Sequence, residues 1–240
     1  MKIAIVGSGI SGLMAALLLD QKYDVTLIES SSWIGGHVHT IPVQTTDHTL
    51  HIDTGYIVCN SVNYPNFIKL LNYLDVELQE TPMSFSVSVA QNGLEYCGTS
   101  INGLFAQRKN LLNPKYWGML RDIIKFNSAA KEFAVNGDAD MNLWDFIKPL
   151  NLSRECRDYY LLPMISAIWS LQEKNVVEMP AKFLCQFFSN HGLLHINDRP
   201  QWYTIKGGSY LYVEKLVKLL KNAPLLNSPV QAISRLDNKV

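Results

Sequence analysis

Hydrophobic and polar positions alternate along this chain in distinct rhythms. Ile3-Ala4-Ile5-Val6 is an unbroken apolar run stopped by Gly7, the pattern of a short buried strand and far too short for a signal-peptide core or a membrane span. Ile10, Leu13, Met14, Leu17 and Leu18 then recur at the spacing of one helical face between Ile10 and Lys22, and Ala15 and Ala16 allow close packing. Asp24 to Ile28 reads as a second strand ending at Glu29, so residues 2–29 predict strand, glycine turn, helix, strand. Val38 to Thr54 alternates about Asp47-His48 as paired strands do. Tyr64 to Leu74 predicts a helix with Phe67, Ile68, Leu70, Leu71 and Leu74 inside. Phe85, Val87 and Val89 alternate up to Asn92-Gly93, a two-residue hairpin signal because both positions tolerate positive φ.

From residue 114 to 191 the period becomes helical: Tyr116–Phe133, Leu143–Ile147, Ser153–Leu171 with a break or kink at Pro163, and Ala181–Asn190 opened by Pro180 as first helical residue. Trp202–Ile205 reads as strand, Gly207-Gly208-Ser209 leads into a helix over Tyr210–Leu220, and Pro229–Ile233 returns to strand character. Asp237 to Val240 resembles a turn with one residue of the next strand, so the chain is expected to stop within a hairpin. With no repeat, low-complexity tract, charge block or Gly/Ser linker, any division into domains has to be discontinuous.

Composition narrows the class. An apolar fraction of 48% over 240 residues supports a sizeable core. Lys plus Arg and Asp plus Glu stand at 21 each, leaving no basic excess to hold nucleic acid or an anionic membrane through charge; no nucleic-acid partner is expected. Cys59, Cys97, Cys156 and Cys185 lie far apart without a C-x-x-C pair, as reduced thiols of a cytoplasmic protein do.

Candidate chemistry begins at Gly7-Ser8-Gly9-Ile10-Ser11-Gly12, which matches G-x-G-x-x-G between a strand and a helix. Gly7 makes the tight turn, Gly9 admits pyrophosphate to the backbone, and Gly12 lets the helix pack on the strand. Ile10 and Ser11 bring the amides of the helix start, where the helix dipole favours an anion. Glu29 lies 17 residues past Gly12, at the end of the second strand, where a carboxylate accepts from ribose hydroxyls and repels a ribose 2′-phosphate; Ser30 adjoins it. A NAD-dependent dehydrogenase is one reading of this unit, but it leaves Gly35-Gly36 unexplained.

Gly7 to Leu13, Glu29, Gly35-Gly36 and Thr40 together resemble the long N-terminal fingerprint of the flavin-containing amine oxidase superfamily. A subgroup is more similar still: the amine-oxidase-like flavoproteins associated with cyclopropane fatty acid synthases. The resembling segments are Gly35-Gly36-His37, Asp53 to Asn60, Tyr64-Pro65-Asn66-Phe67, Met83 to Val87, Ala167-Ile168-Trp169-Ser170 and Trp202 to Tyr212. The superfamily usually carries arginine where this chain has His37.

The resemblance implies an α/β architecture: a Rossmann-like, glutathione-reductase-like FAD-binding domain from residues 1–56 and 203–240, with an inserted α+β substrate domain at 57–202. It implies FAD as cofactor, with Gly35, Gly36 and His37 beside the pyrophosphate, Gly55 and Tyr56 near the flavin ring, and a main-chain contact from Val230 to adenine. The implied function is FAD-dependent oxidoreduction of an apolar or lipid substrate, in association with a lipid-modifying enzyme. A non-catalytic partner that keeps the fold is the alternative. In that family a later segment closes over the flavin, and none follows Ile233, so the 240-residue chain is expected to be an incomplete flavoprotein.

No catalytic residue is assigned, because a flavin carries the redox chemistry itself. Lys206 is weighed as a lysine near the flavin, as some superfamily members have. His37, His39, His48, His51, His191 and His195 form no H-E-x-x-H pattern, and no metal is expected. The aromatic residues from Tyr159 to Trp169 and at Trp202-Tyr203 are read as packed core before substrate cleft.

Overall fold

The computed structural model describes residues 1–169, 171, 176–195 and 200–235. In chain order its elements are β1 (Lys2–Val6), α1 (Ile10–Leu19), β2 (Asp24–Ile28), β3 (His39–Gln44), β4 (Thr49–Gly55), α2 (Pro65–Tyr73), β5 (Leu78–Thr81), β6 (Ser86–Val89) and β7 (Leu94–Cys97). Then come α3 (Ile101–Leu104), α4 (Pro114–Asn136), α5 (Leu143–Ile147), α6 (Arg154–Cys156), α7 (Leu162–Trp169), α8 (Ala181–Asn190), β8 (Trp202–Ile205) and α9 (Tyr210–Lys218). Two compact units result, Met1–Pro82 with Gln201–Val240, and Met83–Pro200. The first takes in residues 57–82 beyond the span expected for a nucleotide domain, because β5 pairs antiparallel with β8 and α2 shares a core with α1 and α9.

In the first unit β1 and β2 pair in parallel, Val6 opposite Ile28, and the Gly7 N–H continues the ladder to the Ile28 carbonyl at 2.8 Å. That register sets the glycine turn beside Glu29. Leu13 and Ala16 of α1 pack fully buried with Leu27, Leu71, Tyr212 and Leu216. β1 was expected to be buried. It turns Ile3 and Ile5 toward this core and leaves Val6 56% exposed, since the described packing comes from one face only. α1 ends at Leu19, short of Lys22, because Asp20 closes the helix and the Lys22 and Tyr23 amides both turn back to the Leu19 carbonyl.

The β3–β4 ribbon forms as its alternation predicts, with an irregularity between His39 and Thr40 that sets Thr40 opposite Asp53. Pro229–Ile233, expected as strand, is irregular; the contact with β2 comes earlier, at a parallel bridge between Ile28 and Leu225. The expected turn at 237–240 lies outside the described residues.

The second unit is largely helical around Met119, Phe126, Ala130, Leu143, Leu184 and Phe188, all buried. The β6–β7 hairpin packs on it, and the Tyr96 hydroxyl donates to the Tyr159 carbonyl at 2.7 Å. Its loop holds four residues instead of two, because only Gly93 takes positive φ, at 65°, and bonds back to the Val89 carbonyl. The helix expected across Ser153–Leu171 does not break at Pro163. It widens first: residues 157–161 form a π turn whose closing bond runs from the Leu162 N–H to the Arg157 carbonyl, and α7 resumes from Leu162. Pro180 sits at the N-cap of α8, one place before the first helical residue. Tyr160 is buried and Trp169 stacks at 13° on Phe188, so these aromatics are core.

Candidate functional site

The site is built where β1 turns into α1. Gly7 takes φ 95°, closed to most side chains, and so folds the chain out of the strand. A Cβ on Gly12 would stand 1.9 Å from the Gly7 carbonyl oxygen, so this glycine fixes how closely helix and strand approach. Gly9 is different. An added Cβ there meets nothing within 4 Å, which means open space lies directly over its backbone. α1 begins from Gly9 with no side-chain cap and no acidic residue in its first turn. The amides of Ile10, Ser11 and Gly12 have no partner within the helix, and the helix dipole adds positive potential at this end.

Gly35 and Gly36 take φ 124° and 64°, and the structure brings them against the first turn. The Gly35 N–H donates to the Ser8 carbonyl at 3.1 Å, and a Cβ on Gly36 would lie 2.9 Å from the Gly9 Cα. His37 is exposed, and its carbonyl oxygen lies where a Cβ on Gly55 would be, 2.2 Å away. Tyr56 sits at φ 54°, unusual for an aromatic residue, held by edge-on packing on Tyr64 and Phe67 and by the Ser209 hydroxyl, which donates to its carbonyl at 3.2 Å. Burial pushes the Tyr56 hydroxyl well above the usual phenol range.

Glu29 is 7% exposed and fully engaged. Its Oε2 accepts from the Ser8 N–H at 2.8 Å and the Ser8 hydroxyl at 2.6 Å; its Oε1 accepts from the Ser31 N–H at 2.9 Å and the Ser30 hydroxyl at 3.1 Å. The Ser8 hydroxyl first, then the Ser31 amide, hold its pKa at about 2, against the desolvation that opposes them. A carboxylate offers about four acceptor positions. All are taken here, so a ribose hydroxyl has to displace a donor, and the Ser30 hydroxyl is the longest of the four bonds.

The segment after α9 comes to the same end of β2. The Glu29 N–H donates to the Leu225 carbonyl and the Ser228 N–H to the Glu29 carbonyl, at 2.8 and 2.9 Å. Val230 lies two residues beyond Ser228, 39% exposed.

Sequence reasoning passed over two features. Ser8, 0% exposed, occupies an unconstrained position of the glycine motif, and nothing in the pattern marks it as Glu29's partner. Asp53 ties the ribbon to α9: its carboxylate accepts from the Ser209 N–H at 2.9 and 3.0 Å, from the Ser209 hydroxyl at 2.8 Å and from the Thr40 hydroxyl at 2.5 Å. The Tyr210 N–H donates in turn to the Thr40 hydroxyl at 3.1 Å. Lys206, weighed as a flavin-facing lysine, pairs with Glu77 at 2.7 Å, both side chains being exposed. Among the described residues no cluster of three or more His, Cys, Asp or Glu is arranged to hold a metal ion.

A glycine turn open over Gly9, an uncapped helix start, a second glycine pair seated on the first and a carboxylate at the end of β2 fit the phosphate-bearing half of a dinucleotide. This defines the class as a nucleotide-cofactor protein of Rossmann type. Residues 10–240 match the family described as flavin containing amine oxidoreductase, and the chain belongs to that family. Its cofactor is FAD. No curated protein matches the chain. Among solved structures it is similar to putrescine oxidase bound to putrescine, at TM-score 0.68 and 17% identity over 95% of this chain and 51% of that one. It is similar to cyclohexylamine oxidase from Brevibacterium oxydans IH-35A, at TM-score 0.68 and 20% identity, with coverage of 95% and 51%. A third is the CLA-producing fatty acid isomerase from P. acnes, at TM-score 0.58 and 16% identity, with coverage of 93% and 51%. The chain spans about half the length of these structures, and at such identities the likeness speaks for the fold. Among the described residues no helix is long and apolar enough to cross a membrane.

Proposed function

We propose that the glycine turn holds the FAD pyrophosphate and that the protein carries out FAD-dependent oxidoreduction of an apolar or lipid substrate. The open space over Gly9 in front of the uncapped α1 carries the reading, because the fold leaves there both the room and the unpaired donors that a pyrophosphate needs. Gly7, Gly9, Ile10, Ser11 and Gly12 bind the phosphates. Glu29 receives the ribose, the Ser30 hydroxyl yielding its place. Gly35, Gly36 and His37 stand beside the pyrophosphate, Gly55 and Tyr56 toward the flavin, and Val230 offers its backbone to adenine. Residues 1–56 and 203–240 serve as the FAD-binding domain, with 57–82 packed in the same unit, and Met83–Pro200 forms the body of the inserted substrate domain. FAD supplies the electron-accepting chemistry when bound; the chain's own residues bind and orient it.

The lipid class rests on the resemblance to the flavoproteins associated with cyclopropane fatty acid synthases; the similar structures include amine oxidases as well as a fatty acid isomerase. We place the protein in the cytoplasm, in keeping with its four unpaired thiols, and in association with a lipid-modifying enzyme. The nicotinamide reading is set aside by the flavin family. Anaerobic titration of the FAD-loaded protein with fatty acids, phospholipids and amines tests the function: a lipid that bleaches the flavin absorbance supports it, and bleaching by amines alone overturns the substrate class. Titration with FAD and with NADP tests the site, and a preference for NADP overturns it.

A further inference from the structure

The overall charge balance conceals a local excess. Between Ile101 and Lys125 stand Arg108, Lys109, Lys115, Arg121 and Lys125, against Asp122 as the one acid of the stretch. Asp122 is turned inward, 5% exposed, and accepts from the Ser153 N–H at 2.8 Å. Arg108 donates to the Phe105 carbonyl at 2.9 Å and Lys125 to the Leu150 carbonyl at 2.6 Å, while the contacts with acids are long, Lys115 3.9 Å from the half-buried Glu155 and Arg121 3.8 Å from the buried Asp122. Pairs of that kind exchange readily with another anion.

The same stretch exposes large apolar side chains. Leu112 is 90% exposed, and Ile101, Leu111 and Trp117 are exposed with it. They are held in place. The Trp117 indole N–H donates to the Leu111 carbonyl at 2.9 Å, and its ring lies 5.1 Å from that of Phe105. Trp117 also opens the outward stripe of α4. Trp117, Arg121, Ile124, Ser128, Lys131 and Val135 follow at helical spacing and are all exposed, with Glu132 exposed beside Lys131, while Met119, Phe126 and Ala130 face the core.

We propose that the turn at Arg108–Leu112 and the outward stripe of α4 dock on an anionic lipid surface. Indole and leucine side chains enter the boundary between headgroups and acyl chains, while flanking lysine and arginine meet lipid phosphates. Leu111, Leu112 and Trp117 form one exposed apolar cluster, with Lys109 and Lys115 close to it in the chain, the combination that an anionic lipid surface accommodates. Net neutrality excludes a protein held by its total charge. It does not exclude this patch, whose cations lie too far apart in sequence to form a run and are gathered by the helix and the turn. The proposal is independent of the flavin reading.

Sedimentation of the full-length, FAD-loaded protein with vesicles tests it. With equal parts phosphatidylcholine and phosphatidylglycerol the protein should pellet, and it should be released as salt rises and screens the charges. Leu112→Asp should weaken the association about tenfold, and Lys109→Ala and Lys115→Ala about fivefold each. Tyr73→Ser, at an exposed position of α2, should leave it unchanged. An unaltered thermal midpoint certifies each variant, with Leu112→Ser in reserve should the aspartate disturb folding. Failure to pellet, equal binding to phosphatidylcholine alone, or full binding by the Leu112 variants overturns the proposal. So does lipid-free self-association that Leu112→Asp abolishes, which would make this face a dimer contact.

Discussion

Helices α1 and α4 begin in opposite ways. At α4 the Asn113 side chain accepts from the Lys115 and Tyr116 amides at 3.1 and 3.4 Å, and Pro114 fills the next place, where no amide hydrogen is wanted. α1 has a glycine at its N-cap, no side-chain acceptor, no acid in its first turn, and open space in front. One helix completes itself. The other leaves its first-turn amides open, and the contrast separates a helix start that closes on the fold from one that is free for the pyrophosphate proposed above.

Within α1 the same contrast divides the glycines, and mutation can break it. Gly12→Ala drives a methyl into the Gly7 carbonyl, 1.9 Å away, so the helix has to shift; we expect a loss of about 3 kcal/mol in urea unfolding, with FAD binding lost as well. If Gly12→Ala unfolds like wild type, the turn is not packed as described. Gly9→Val puts its side chain into the open space, so stability should change by less than about 1 kcal/mol while FAD affinity falls ~100-fold, about 2.7 kcal/mol. Equal loss of stability in the two variants would erase the distinction. Asn113→Ala removes the cap of α4 and should cost about 1 kcal/mol without touching FAD affinity, as calorimetric titration would show.

The smallest effect concerns acid. Glu29 is held at about 2 in the folded chain against an ordinary 4.5, so its contribution to stability is present above about pH 4.5 and is lost as pH falls toward 2. Removing the Ser8 hydroxyl, the largest cause, brings the folded pKa back toward the ordinary value. Ser8→Ala should therefore show a shallower loss of stability between those pH values in urea unfolding, and an unchanged slope would deny the hydroxyl its role.

Much of this arrangement was legible in advance because it rests on local periodicity. Leu13 and Ala16 sit in the core where the helical period put them, and Gly7 and Gly12 have the backbone strain and close contact that the motif requires. What escaped depends on contacts distant in sequence or on choices between near-equal local geometries. Ser8 reaches Glu29 across 21 residues, and Asp53 reaches Ser209 across 156. A serine in a free motif position and an aspartate in a ribbon carry no periodic signal of such partners. The hairpin at Asn92-Gly93 took four residues because Asn92 did not adopt the positive φ it tolerates, and Pro163 was accommodated by a π turn that no composition announces. The cations of α4 escaped because summing charge over the whole chain discards position.

The pairing of β5 with β8 also bears on how this chain acquires its fold. Leu78 meets Ile205, and between them runs the whole of Met83–Pro200. A ribosome releasing the chain from its N-terminus delivers β5 roughly 120 residues before its partner, many seconds earlier at ordinary synthesis rates. Closing so long a loop in an unstructured chain is slow, whereas a second unit that condenses as it emerges shortens the effective tether. Until β8 arrives, β5 waits with unpaired backbone groups, a window in which a chaperone or another nascent chain competes for the strand.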